Sequence, residues 1–81
     1  MEKYKTVGVC SPEIHFEVED GMVKHVVFIR GCPGNTLGIA SLIKGLDVHE
    51  AISKLKGIDC HGKGTSCPDQ LAKALEAYIN K

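Results

Sequence analysis

Tryptophan is absent, and two tyrosines and two phenylalanines are the only aromatic residues among 81. Binders of single-stranded nucleic acid interleave aromatic stacking platforms with basic residues, and no such interleaving occurs here. An excess of either charge is also missing: ten Lys and Arg balance ten Asp and Glu, and the lysines are scattered along the chain. That removes the basic face by which DNA or RNA partners are recognised. No apolar run approaches the roughly 18 residues needed to cross a bilayer. The opening Met1-Glu2-Lys3-Tyr4-Lys5 is not followed by the apolar core of a signal peptide. These absences predict a cytoplasmic protein with neither a nucleic-acid nor a membrane partner. There is no internal repeat, and the length leaves no room for a second core, so residues 1–81 are expected to form one domain. Chains this short bury a small share of their surface, and many depend on a metal, a disulfide or a partner subunit for their margin of stability.

Three extended runs come first: Tyr4 to Val9, Ile14 to Glu19 and Val23 to Arg30. Ile14, Phe16 and Val18 alternate with His15, Glu17 and Glu19, the period-two pattern of a half-buried sheet. Asp20-Gly21 between the second and third runs predicts a tight antiparallel hairpin, because glycine tolerates the positive φ that such a turn requires. Beyond Gly31-Cys32-Pro33-Gly34-Asn35 the period becomes helical, with Ile39, Leu42 and Ile43 on one side and Gly45 as a stop. Asp47 and Glu50 form a capping pair ahead of Val48, Ala51, Ile52 and Leu55, which recur at i, i+3, i+4 and i+7. A glycine-rich loop from Lys56 to Ser66 carries Cys60 and His61. A third helix then starts near Pro68, with Ser66 or Cys67 as its cap, Asp69 complementing its dipole, and Leu71, Leu75, Tyr78 and Ile79 as its buried stripe. Strands followed by helices predict an α+β fold: an N-terminal three-stranded antiparallel sheet with three helices packed on one face.

Each of the four cysteines falls at a predicted break: Cys10 after the first strand, Cys32 between sheet and helix, Cys60 in the loop, Cys67 at a helix start. In a reducing compartment such a set reads as ligands or chemistry rather than as two disulfides. Loops at element ends can bring distant thiolates to one tetrahedral metal. The spacing itself, 22, 28 and 7 residues in turn, contains no C-x-x-C knuckle and is unlike a zinc finger. Taken alone, Cys67 at a helix N-terminus suits a ligand or a nucleophile, with a small buried residue as the plain alternative. His61 next to Cys60 is an alternative fourth ligand, whereas His15, His25 and His49 read as surface residues. Gly31, Gly34 and Asn35 ahead of a helix lack the lysine of a P-loop and the dinucleotide fingerprint, so turn chemistry accounts for them. Asp69, in a first helical turn, reads as a capping rather than a catalytic carboxylate.

Thr65-Ser66-Cys67-Pro68-Asp69 resembles the TSCPD family, which is named for this pentapeptide and occurs alone or at the C-terminus of vitamin B12-dependent ribonucleotide reductases. The likeness extends to Gly31-Cys32, to Leu55-Lys56-Gly57-Ile58-Asp59-Cys60 and to Asp69-Gln70-Leu71-Ala72, and so spans nearly the whole chain. It implies zinc held by Cys10, Cys32, Cys60 and Cys67, with four-thiolate tetrahedral coordination as the physical model. It also implies a reductase or another protein of deoxyribonucleotide synthesis as partner, and with it a ribonucleoside-diphosphate reductase label and nucleotide binding. At 81 residues the chain is too short for the radical-bearing barrel, so it is expected to be an accessory module and not an enzyme alone. A more distant likeness is to NifU-type iron–sulfur scaffolds, with Cys10, Cys32 and Cys67 at the matching places. Pro33 departs from the glycine of that pattern, Ser11 from its aspartate, and no histidine directly precedes Cys67. This second likeness implies a scaffold-like fold, with an iron–sulfur cluster as the alternative cofactor. A thiol enzyme using Cys67, with His61 as base, is a further alternative, and a metal-free interaction module whose cysteines only pack is the last.

Overall fold

The turn at Asp20-Gly21 organises the sheet. Both residues have positive φ, 55° and 77°, which is the signature of a two-residue hairpin turn whose twist matches that of an antiparallel pair. The computed structural model describes every residue except Met1, Cys10, Gly31, Cys32, Cys60, His61, Lys63 and Lys81, together with the side chain of Pro33. Strands β2 (Glu13–Glu19) and β3 (Met22–Ile29) flank the turn, and β1 (Glu2–Lys5) pairs antiparallel with the other side of β2, giving the order β1-β2-β3. Three helices follow: α1 (Pro33–Ile43), α2 (Val48–Leu55) and α3 (Cys67–Ile79). This is the α+β arrangement expected. No described helix is long and apolar enough to cross a membrane.

One expectation about the strands needs correction. The first strand is Glu2–Lys5 rather than Tyr4 to Val9. Lys5 pairs with Glu13, where β2 starts, and after one further bond from the Thr6 amide to the Pro12 carbonyl (3.1 Å) the partner strand is exhausted. Val7 is therefore 75% exposed in spite of its strand propensity. In β3 the register slips opposite Glu17 and Val18: Val18 pairs with Val23 and Glu17 with His25, leaving Lys24 as an extra residue. This β-bulge lets Val23 and Val26, three apart, both face the core while Lys24 and His25 face out.

The apolar core takes Ile14 and Phe16 from β2, Val23 and Val26 from β3, Ile43 from α1, the four apolar residues of α2, and Leu71, Ala72, Ala74 and Leu75 from α3. All three helices thus bury their faces against the same side of the sheet. Phe16 meets Tyr78 edge to face, with ring centroids 5.9 Å apart at 83°. Burying a side chain such as Leu71 or Leu75 stabilises the fold by about 2 kcal/mol. α2 has the expected cap, with the Asp47 carboxylate accepting from the His49 and Glu50 amides at 2.9 and 3.2 Å. α1 differs from expectation in two ways. It begins at Pro33, a residue suited to a first helical position, and its buried line is Thr36 and Ile43 with Ile39 and Ala40 partly covered, whereas Leu42 is 78% exposed. The turn after α1 closes on β3: Gly45 donates to the Val23 carbonyl at 2.7 Å, and Val23 donates to Leu46 at 2.8 Å.

Candidate functional site

The described part of the cysteine-bearing region is built around the start of α3. Ser66 is extended (φ −157°, ψ 171°) and caps the helix, its hydroxyl oxygen accepting from the Asp69 amide at 3.1 Å. The same hydroxyl donates to the Ile58 carbonyl at 2.6 Å, so a single serine both caps the helix and ties down the preceding loop. Cys67 and Pro68 occupy the first two helical positions, as the pentapeptide suggests, and both are partly exposed. Cys67 follows directly on the cap, at the positive end of the helix dipole, where the backbone leaves its amides free to favour negative charge.

Asp69 departs from a simple capping role. It is 3% exposed, and its carboxylate accepts from the Gly57 amide at 2.7 Å and from the Thr65 hydroxyl at 2.6 Å, with the Lys73 ammonium 3.4 Å away. The Thr65 and Gly57 hydrogen bonds, followed by Lys73, hold this carboxyl below the usual aspartate range despite its burial. Gly57 has φ 86°, a conformation that L side chains adopt only under strain, and this aims its amide at Asp69 just after α2 ends.

The network continues through Gln70, also buried at 3%. Its side-chain amide donates to Thr65 Oγ1 at 2.9 Å, and its oxygen accepts from the Val7 amide at 3.1 Å. Val7, Gln70, Thr65, Asp69 and Gly57 are therefore one connected set joining the segment after β1, the segment after α2 and the first turn of α3. Among the described residues no buried side-chain polar atom lacks a partner. Ser11 forms a second tie. It is fully buried and donates to the Ile29 carbonyl at 2.7 Å, with the Glu13 carbonyl 3.0 Å away as the alternative acceptor, while Thr6 donates to the Ser11 carbonyl. Within the loop itself, the Asp59 carboxylate accepts from Gly62 at 2.7 Å and from Gly64.

Of the expected ligands, Cys67 is described; Cys10, Cys32, Cys60 and the alternative ligand His61 lie outside the described residues. Among the described residues no three His, Cys, Asp or Glu side chains are grouped to hold a metal ion. His25 and His49 are exposed, and His15 lies part-covered with its Nε2 2.8 Å from Glu13 Oε1. Sequence reasoning missed Ser11, Thr65 and Gln70. Their polarity gave no local signal, because each bonds to chain that is distant in sequence or to another buried side chain.

A three-stranded sheet, three helices on one face, and a polar junction joining the segments after β1 and α2 to the first turn of α3 define a small α+β domain. A family model described as the TSCPD domain matches residues 2–79, and the chain belongs to that family. Neither a curated protein nor a solved structure matches it.

Proposed function

We propose that this domain is a non-catalytic zinc module, with Cys10, Cys32, Cys60 and Cys67 as its thiolate ligands, that serves a ribonucleotide reductase or another protein of deoxyribonucleotide synthesis. The supporting observation is the way the cysteines' described neighbours are bonded to one another. Ser66, directly before Cys67, bonds to Ile58, two residues before Cys60. Gln70, three residues after Cys67, bonds to Val7, three residues before Cys10. Ser11, directly after Cys10, bonds to Ile29, three residues before Cys32. A chain of three residues reaches at most about 11 Å. Every ligand is thus tethered close to a tie leading to the next, which is what convergence from sequence-distant breaks requires.

Four thiols suit zinc better than the oxygen-seeking cations magnesium and calcium, and His61 can stand in for one of them. When bound, zinc would supply folding energy to a core of limited size. The chain's own part is to hold the loops in register through Ser66, Thr65, Asp69, Gln70 and Ser11. The reductase connection is drawn from the family, whose domain also occurs appended to those enzymes.

Elemental analysis of protein purified anaerobically without added metal tests the reading. About one zinc per chain is expected, reduced in Cys67→Ser together with thermal stability. Iron with sulfide in place of zinc would make the domain a cluster scaffold or carrier. Absence of any metal, with a melting temperature indifferent to chelators, would overturn the proposal.

A further inference from the structure

Strand β3 is an edge strand of the sheet, and its free edge is only partly covered. At its start the turn after α1 occupies that edge, through the bonds between Val23 and Gly45 and Leu46. From Lys24 to Ile29 no described strand pairs with it. An open cleft of about 460 Å³ runs there, between residues 25–28 of β3 and helix α1. An unpaired edge presents backbone donors and acceptors in the spacing that an added strand requires. The helical wall is apolar in part: Leu37, 67% exposed, and Ala40 line it. Its charged lining is Arg30 and Lys44, with His25 as a third basic group, and no carboxylate is among the lining residues.

We propose that this edge docks an extended acidic segment of a partner protein, which adds to β3 as a fourth strand. The segment's apolar side chains pack against Leu37 and Ala40, and its carboxylates face Arg30 and Lys44. Charge complementarity selects this occupant over a second copy of the chain. A two-fold contact with a second copy would bring this basic lining, Arg30 and Lys44, up against its own counterpart, and like charges oppose that association. Alternation of side chains along a strand explains why the segment must be mixed: one face meets the helix and the other the solvent. The inference does not depend on which ion the cysteines hold.

The test uses the protein as purified and a fluorescein-labelled synthetic peptide alternating valine and glutamate, followed by fluorescence anisotropy. Binding tighter than about 1 mM is expected, weakened by added salt, with a valine–lysine peptide of equal length failing to bind. Lys44→Glu and Leu37→Glu, both at exposed positions, should each weaken binding about tenfold without shifting the melting temperature. The amides of Val26 and Phe28 should exchange more slowly in the presence of the acidic peptide. Equal affinity for the lysine peptide, no binding at about 1 mM, or affinity unchanged in both variants would overturn the proposal. A concentration-dependent dimer that dissociates in Leu37→Glu would overturn it in favour of a second copy.

Discussion

The two ends of α3 are stabilised by different physics. From Leu71 onward the helix is held by apolar burial against the sheet and α2, a non-directional force that tolerates exchange of one aliphatic side chain for another of similar volume. Its first turn is held by directional bonds: Ser66 to Ile58, Asp69 to Gly57 and Thr65, and Gln70 to Val7. A buried polar network of this sort fixes loops in one arrangement, since each group left without its partner costs the desolvation of that group. The core gives the domain its stability, and the junction fixes the segments after β1 and α2 against the start of α3.

Substitutions at the two ends should therefore differ in kind as well as in size. The largest effect is expected in the core: Leu71→Ala, at a fully buried position, should cost about 2 to 5 kcal/mol by chemical denaturation while leaving the metal content of the folded fraction unchanged. At the junction, Asp69→Asn should cost about 1 to 3 kcal/mol and should raise amide exchange at Gly57 and Val7 more than in β2. Its pH dependence identifies the carboxylate. Because the folded-state carboxyl titrates below its unfolded value, its contribution is complete above about pH 4 and is lost as pH falls through the lower folded value. The gap in stability between wild type and Asp69→Asn should accordingly close on acidification. A gap that stays constant would place the effect in packing. The smallest effect is expected at Leu42, which the helical period assigns to the core but which is 78% exposed; Leu42→Gln should shift stability by less than about 0.5 kcal/mol. A cost typical of the core would return Leu42 to the buried face.

The comparison also explains what could be read in advance. The hairpin at Asp20-Gly21, the stripe of α2 and the cap at Ser66 follow from local rules, in which residues one to four apart determine the outcome. Tertiary pairing overrode those rules at three places. Val7 and Val9 have strand propensity, but β2 offers no partner beyond Pro12. The bulge at Lys24 breaks the period of two, and only the register of β2 against β3 reveals it. In α1, Thr36 is buried while Leu37 and Leu42 are not, since the side of the helix facing β3 is set by where the turn at Gly45 attaches. At the candidate site, the residue types that can bind metal were legible from the cysteines alone. The roles of Thr65, Gln70 and Ser11 were not, because a buried hydrogen bond across 63 residues, as between Val7 and Gln70, leaves no periodic trace.

X-ray absorption at the zinc edge of protein purified without added metal tests the central claim most directly. Four sulfur scatterers at about 2.3 Å are expected from Cys10, Cys32, Cys60 and Cys67, with three sulfurs and one nitrogen marking His61 as the replacement ligand. A shell made only of oxygen and nitrogen, or protein that carries no zinc, would contradict it.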